Sequence, residues 1–224
     1  MGKIITNKNE HGNISSSLEY LSKLNLNKDL KILDIGCRFG SLIYNLYQMG
    51  YKNVYGIDLN EKSILKGKSV YPEIASHLST AEKDRVNFED DSIDVILMFD
   101  VIEHIPDPQN YLTENVFKIL KRKGLFIFQT PNKYINVPWE IIKNRNLQSY
   151  KKYHCSLQSY KSLQRLLNDS NFCDVKIEKF NIITDHNIEK VKKKLGWIGL
   201  LLLKLTKIFP IQLYPNFWGY CFRK

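Results

Sequence analysis

Residues 31–40 read KILDIGCRFG and residues 54–58 read VYGID, and these two stretches decide the fold. In each, an apolar run leads to an acidic residue, and the first run ends in a turn with two glycines and an amphipathic segment. This order predicts a strand, a tight turn, a helix and a second strand, which is the layout of a nucleotide-binding βαβ unit. Gly36 and Gly40 would let the backbone approach a ligand closely, and Asp58 would accept hydrogen bonds from ribose hydroxyls.

The spacing of the two glycines separates two cofactor classes. The dinucleotide pattern requires G-x-G-x-x-G, whereas this turn reads G-x-x-x-G, which disfavours NAD. The turn resembles motif I of class I S-adenosylmethionine-dependent methyltransferases, D-x-G-x-G-x-G, at Asp34, Gly36 and Gly40. Arg38 stands where that motif has its middle glycine.

Three later stretches resemble the same family, in the same order. They are DDSIDVILMFDVIEHIPDP at 90–108, LKRKGLFIFQTPNKY at 120–134 and YHCSLQSYKSLQRLLNDSNF at 153–172. The resemblance is to the branch that contains ubiquinone-type O-methyltransferases and bacterial glycan and lipid methyltransferases. It implies one α/β, Rossmann-like methyltransferase domain over residues 1–224, with a mostly parallel seven-stranded sheet, helices on both faces and an antiparallel last strand.

Hydrophobic periodicity predicts the individual elements. The predicted strands lie near residues 31–35, 53–57, 93–98, 124–129, 174–180 and 212–222. The predicted helices lie near residues 12–27, 41–49, 61–68, 109–121 and 156–170. Residues 132–155 are aromatic and basic, and we interpret them as an inserted lid over the substrate.

The cofactor that the resemblance implies is S-adenosylmethionine, with contacts expected first at the glycine turn. The amides around Gly36, Cys37 and Gly40 lie at the start of a predicted helix, where they would face the methionine carboxylate. Asp34, at the tip of the first predicted strand, would orient the turn or meet the ammonium group of the cofactor.

Four further residues are expected around the nucleoside. Asp58 would hold the ribose diol, and Leu59 would pack against adenine. The adenine-binding acid of the family precedes the fourth strand, which assigns Glu82, and a solvated surface acid is an equal interpretation of this residue. Phe99 ends the fourth predicted strand, where open α/β sheets bind ligands.

A hydroxyl acceptor would benefit from a general base, and His154 and His104 are the candidates. His104 follows the fourth predicted strand, where it would alternatively brace the loop. His154 follows the predicted lid, where it would alternatively brace the next helix. Glu103, beside His104, would orient an imidazole or bind a divalent metal, as in ubiquinone-type relatives. One acid and one histidine make no convincing metal site, so no metal is predicted.

Composition and charge predict the setting of the protein. Four cysteines show no C-x-x-C spacing, and the first residues lack a charged-then-apolar signal pattern, which favours the cytoplasm. Residues 1–110 hold 12 Lys and Arg against 16 Asp and Glu, whereas residues 111–224 hold 21 against 7. This basic second half suits either a soluble lysine-rich surface or an anionic partner.

Residues 189–210, EKVKKKLGWIGLLLLKLTKIFP, form a basic amphipathic segment. Its uncharged run is much shorter than the roughly 20 residues needed to span a bilayer. The segment predicts either peripheral contact with an anionic membrane, at the inner membrane face, or a helix whose leucines cover the substrate mouth. Both interpretations suit an acceptor with an apolar part.

Three classes of function follow. The leading one is a methyltransferase that O-methylates a small-molecule, glycan or lipid-linked acceptor. A nucleic-acid methyltransferase is favoured by charge alone, and the fourth predicted strand lacks the Asn/Asp-Pro-Pro-Tyr motif, so a nucleic-acid partner is disfavoured. A non-catalytic binding module of the same fold stays open because Arg38 replaces a glycine of the motif.

Overall fold

The computed structural model describes residues 14–83, 85–146, 148, 154–180, 185–205 and 208–224. Its strands are β1 (Ile32–Ile35), β2 (Val54–Asp58), β3 (Leu78–Thr80), β4 (Ile93–Phe99), β5 (Leu120–Pro131), β6 (Phe172–Glu178) and β7 (Asn216–Arg223). Its α-helices are α1 (Ile14–Leu24), α2 (Ser41–Gln48), α3 (Glu61–Val70), α4 (Pro108–Tyr111), α5 (Lys133–Asn144), α6 (Tyr160–Asp169) and α7 (Asp185–Leu205). A π-helical stretch, Leu112–Phe117, continues α4, and 3-10 turns lie at Pro72–His77, Ile102–His104 and Ile211–Leu213.

The strands form one seven-stranded sheet in the order β3-β2-β1-β4-β5-β7-β6. β1 to β5 pair in parallel, and β7 runs antiparallel to both β5 and β6. The strand order changes direction between β1 and β4, and at such a point an open sheet leaves a crevice beyond the carboxyl ends of its strands. The predicted α/β fold, with its mostly parallel seven-stranded sheet and antiparallel last strand, is confirmed.

The central strands are apolar on both faces because helices cover the sheet from both sides. Along β4, Ile96 and Met98 belong to one core cluster, and Val95 and Leu97 belong to the other. Helices α1, α2 and α3 pack on the second cluster, whereas the π-helical stretch and α6 pack on the first. Polar function is therefore concentrated at the strand ends, where the chain leaves this covered core.

Several element boundaries differ from the sequence prediction. The pattern misses β3, because Leu78–Thr80 is short and mostly polar. The helix predicted over 109–121 is helical as far as Ile119, with a π-helical middle, and only its last two residues belong to β5 instead. The helix predicted from residue 156 begins at Tyr160, where Ser159 and Ser162 form a capping box.

Asn132, at the end of β5, joins three parts of the chain. Its Oδ1 accepts the amide of Tyr134 at 3.0 Å, which caps the start of α5. Its Nδ2 donates to the carbonyl oxygens of Gln212 at 2.9 Å and Tyr214 at 2.7 Å, just before β7. Asn132 is fully buried, and so is its hydrogen bond to Tyr214, so the Tyr214 carbonyl oxygen depends on this side chain for a donor inside the protein.

We expect Asn132→Ala to lower the free energy of unfolding by about 2–4 kcal/mol, because it leaves the buried Tyr214 carbonyl without this donor and removes a helix cap. Asn144→Ala is the matched control, since Asn144 is exposed and its amide contacts Glu140 on the same helix. Its effect should stay within about 0.5 kcal/mol. Urea denaturation measures both, and equal losses would contradict the role given to Asn132.

Candidate functional site

The turn after β1 is built from left-handed residues. Gly36, Arg38 and Gly40 have φ values of 84°, 51° and 80°. A Cβ on Gly36 would lie 2.4 Å from Val101 Cγ2, and a Cβ on Gly40 would lie 2.7 Å from Leu78 Cδ2. Both glycines are therefore required by backbone conformation and by close packing. Arg38 adopts the same left-handed conformation, which is less favourable for a residue with a Cβ than for glycine.

The amides of this turn already have partners within the protein. The N–H groups of Gly36 and Cys37 donate to the Ile57 carbonyl at 2.8 and 3.0 Å, and Gly40 donates to the Cys37 carbonyl at 2.8 Å. The first two of these amides fix the turn to β2, and the third closes the turn itself. Contact of this turn with the methionine carboxylate of a cofactor stays a prediction. The turn therefore offers a ligand a close approach to a rigid backbone.

Asp58, at the tip of β2, is held by two backbone amides. Its Oδ2 accepts the N–H of Arg38 at 2.8 Å, and its Oδ1 accepts the N–H of Asn60 at 2.8 Å. A carboxylate oxygen has more than one lone pair, so both oxygens can still accept a ligand hydroxyl. The next residue, Leu59, is 60% exposed and presents an apolar side chain beside this carboxylate.

β3, which the sequence pattern misses, brings Glu82 to the same edge of the sheet. Thr80 pairs with Asp58, and the amide of Ala81 donates to the Asp58 carbonyl at 2.9 Å. Glu82 follows two residues after Thr80 and is exposed. The structure thus places Glu82 on the side of β2 opposite the glycine turn, since β1 and β3 flank β2.

Asp34 and Phe99 lie on the two central strands. Asp34 is buried near the end of β1, in register with Gly56 and Leu97. Phe99 ends β4, and its ring centroid lies 5.5 Å from that of Trp218 on β7. Their position at the carboxyl edge agrees with their predicted place, and their contacts with a cofactor stay a prediction.

The structure brings His104 and His154 together, although 49 residues separate them in the sequence. Their ring centroids lie 5.1 Å apart, with the planes tilted by 48°. The Glu103 carbonyl accepts the amide of Ser156 at 3.0 Å, which holds the segment around His154 against the loop after β4. Neither histidine could be paired with the other from sequence pattern, because the contact is purely tertiary.

Glu103 is a candidate site residue whose burial the sequence pattern does not reveal. Its side chain is 1% exposed, and Oε2 accepts the Thr130 hydroxyl at 3.0 Å. Burial, with a smaller contribution from the negative charge of Asp100, raises the pKa of Glu103 to about 8. One ligand atom each from Glu103, His104 and His154 lie within 4.8 Å of one another, so this set could hold a metal ion. The prediction of no metal site was based on one acid and one histidine, and it remains untested.

The predicted lid leaves the sheet and returns to it at one place. Asn132 and Gln158 form a parallel bridge, and the amide of Lys133 donates to the Gln158 carbonyl at 2.8 Å. Between them lies α5, on which Tyr134 and Ile142 are exposed. Residues 147 and 149–153 lie outside the described residues. The segment is thus an excursion closed at its base, beside His154.

The sheet order, the left-handed turn and the acid at the tip of β2 define a doubly wound α/β domain with its site at the carboxyl edge. The sequence profile of the family described as "Methyltransferase domain" matches residues 7–177. The chain therefore belongs to the methyltransferase-domain family, which confirms the resemblance seen in its motifs.

Two curated relatives and one solved structure illustrate the similarity. Phosphoethanolamine N-methyltransferase 1 of Arabidopsis thaliana is 26% identical over 196 residues, covering 82% of this chain and 38% of that protein. The ubiquinone biosynthesis O-methyltransferase of Rickettsia bellii is 32% identical over 114 residues, covering 47% of this chain and 43% of that protein. The chain thus spans less than half the length of these two relatives.

The structure is similar to phosphoethanolamine N-methyltransferase 2 of Haemonchus contortus in complex with phosphomonomethylethanolamine and S-adenosylhomocysteine. The TM-score is 0.65 at 17% identity, and the match covers 93% of this chain and 53% of the other. At this identity the likeness concerns the fold.

We expect the raised pKa of Glu103 to make stability depend on pH. Between about pH 5 and about pH 8 the carboxyl is neutral in the folded protein and ionised in the unfolded chain, so unfolding releases a proton. The contribution of the neutral Glu103 carboxyl to the free energy of unfolding is complete below this pH window and is lost as the pH rises through it. Each pKa unit corresponds to about 1.4 kcal/mol, so the loss should amount to several kcal/mol.

Urea denaturation at a series of pH values measures this loss, with Glu103→Gln as the non-titrating variant. The stability of the variant relative to the natural protein should rise steadily across the window. Glu114→Gln is the control, because Glu114 is an exposed helix residue paired with Lys118. Parallel pH profiles for Glu103→Gln and the natural protein would contradict the buried neutral carboxyl.

Proposed function

We propose that this chain is an S-adenosylmethionine-dependent methyltransferase whose cofactor lies at the carboxyl ends of β1, β2 and β4. The observation that carries the proposal is the hydrogen bond between the glycine turn and Asp58, in which the Arg38 amide donates to Asp58 Oδ2 at 2.8 Å. Membership of the methyltransferase-domain family supports it. When bound, S-adenosylmethionine would supply a methyl group on a positively charged sulfur.

The residues at this edge fit the parts of that cofactor. Asp58 would accept hydrogen bonds from the ribose diol with the lone pairs that its two amide contacts leave. Leu59 would cover one face of adenine, and Glu82, on the neighbouring strand end, would accept a hydrogen bond from the adenine amine. The turn from Gly36 to Gly40, which includes the buried Cys37, would accommodate the methionine part, and Asp34, near the end of β1, would orient the turn or meet the ammonium group.

The proposed reaction is O-methylation of a small-molecule, glycan or lipid-linked acceptor. A hydroxyl must lose its proton as its oxygen is methylated, and an imidazole can accept that proton near neutral pH. The paired rings of His104 and His154 lie next to the loop after β4, and the side chain of His104 is half exposed. Glu103 Oε1 lies 4.0 Å from His104 Nε2. Because burial raises the pKa of Glu103 to about 8, this carboxyl is neutral near pH 7, and it would become an anion that stabilises an imidazolium only as the pH rises through that value.

N-methylation of a small phosphorylated amine is the second candidate. It is favoured by the similarity to phosphoethanolamine N-methyltransferase 1, which covers 82% of this chain, against 47% for the O-methyltransferase of Rickettsia bellii. Transfer of a labelled methyl group to phosphoethanolamine, compared with transfer to a soluble quinol, distinguishes the two candidates. The proposed location is the cytoplasm, at the inner membrane face, on account of the basic segment 189–210.

We expect Asp58→Ala to weaken the binding of S-adenosylhomocysteine about tenfold to a hundredfold, because a hydrogen bond to a charged group contributes about 1.5–3 kcal/mol. Isothermal titration calorimetry measures the dissociation constant. Asp169→Ala, at the exposed end of α6, is the matched control and should bind as the natural protein does. Unchanged affinity in a folded Asp58→Ala protein would rule out the ribose assignment.

We expect His104→Gln and His154→Gln each to lower turnover on an oxygen acceptor. The loss should be about 10²-fold to 10⁴-fold for the histidine that acts as the general base. Affinity for S-adenosylhomocysteine should stay unchanged, since neither imidazole is assigned to the cofactor. His77→Gln is the control, because His77 lies at the amino edge of the sheet, bonded to the Val54 carbonyl. Initial rates test this, and full activity in both variants would show that neither histidine is the base.

A further inference from the structure

The second half of α7 presents a stripe of apolar side chains to solvent. Trp197 is 74% exposed, and Ile198, Leu201 and Leu205 are each at least 40% exposed. At 3.6 residues per turn, these four positions fall within an arc of roughly 100°, the width of the face that an amphipathic helix normally buries. Gly199, which is buried, lies on the other side of the helix. The apolar face is therefore turned away from the side that is covered.

A break at Gly196 separates this stripe from the first half of α7. Gly196 has φ 57° and ψ −143°, which is not helical. Apart from its chain neighbours and its own helix, no described atom lies within 4 Å of the position that a Cβ would take there. The stripe therefore belongs to a short helix of its own orientation. Ile208, which is 77% exposed, extends the apolar surface beyond the end of that helix.

The same segment is strongly basic. Residues 189–210 contain six lysines and one glutamate. Lys192 and Lys193, on the first half of α7, and Lys204, at the edge of the stripe, are exposed. Lysines at the border of an apolar helix face complement a surface that is anionic outside and apolar beneath, and tryptophan suits the boundary between the two.

Other occupants of the stripe fit less well. Within the part of the chain that the structure describes, no helix is long and apolar enough to cross a bilayer. A second copy of the chain, packed through the same face, would bring two lysine-rich segments together, and like charges repel. Nucleic acid would neutralise the lysines but would leave the apolar side chains in water.

We propose that the apolar stripe of α7, together with Ile208 and the lysines that border it, docks on the surface of a membrane that contains anionic phospholipid. The apolar side chains would enter the boundary between head groups and acyl chains, and the lysines would stay at the level of the head groups. This docking goes beyond the proposed methyl transfer and does not depend on it. It would hold the protein at the surface from which a lipid-linked acceptor is taken.

Sedimentation with vesicles tests the docking, using pure phosphatidylcholine and phosphatidylcholine mixed with phosphatidylglycerol. The natural protein should bind the anionic vesicles at least tenfold more strongly than the neutral ones, since each lysine near the surface contributes about fivefold. Trp197→Ser with Leu201→Ser should reduce binding to anionic vesicles at least tenfold, because two large apolar side chains no longer enter the interface. Lys192→Gln with Lys193→Gln and Lys204→Gln should remove the preference for anionic vesicles.

The control variant combines Lys62→Gln and Leu65→Ser, which remove an exposed lysine and an exposed leucine from α3, and it should bind as the natural protein does. Equal binding to both vesicle types, or no binding, would overturn the proposal. A dimer in analytical ultracentrifugation that Trp197→Ser with Leu201→Ser dissociates would assign the stripe to a second copy and would also overturn it. The change in melting temperature with S-adenosylhomocysteine, measured on each variant, reports separately on the methyltransferase site.

Discussion

The close contact between the turn after β1 and the loop after β4 is the constraint on which the site depends. Gly36 lies so near Val101 that a methyl group in place of its hydrogen would overlap the valine. The same turn is tied to β2 through the Ile57 carbonyl and through Asp58, which accepts the amide of Arg38. Three parallel strands therefore end in one interlocked set of loops. The geometry of the carboxyl edge is fixed before any ligand arrives, which lowers the entropic cost of binding there.

The loop after β4 connects this edge to the groups that can move protons. It carries Glu103 into the core and leaves His104 at the surface, next to His154. Burial keeps the Glu103 carboxyl neutral at and below neutral pH, so the charge beside the two imidazoles depends on pH in the physiological range. The cofactor edge and the histidine pair share this loop. A change in the turn at Gly36 would therefore reach the histidine pair through Val101.

The sequence predicts the parts of the fold that local pattern determines. The glycine turn and Asp58 can be predicted because buried strands are apolar and the turn requires glycine, so residues 31–58 show both as a local pattern. β3 escapes prediction because three residues cannot show a period, and Glu82 could not be placed beside Asp58 without it. The meeting of His104 and His154 depends on how an excursion of the chain returns to the sheet. No local pattern encodes such a contact.

The central claim, that the carboxyl edge of β1, β2 and β4 binds S-adenosylmethionine, can be tested most directly by a thermal melt. S-adenosylhomocysteine, the stable product, is the ligand for that melt. At a hundred times its dissociation constant a ligand stabilises the folded state by about 2.7 kcal/mol, which for a domain of this size raises the melting temperature by roughly 5–10 °C. Our account predicts a rise of this order that grows with ligand concentration. An unchanged melting temperature at millimolar ligand would contradict it. That result would mean that Arg38, in the left-handed position of the turn, closes the edge to the cofactor.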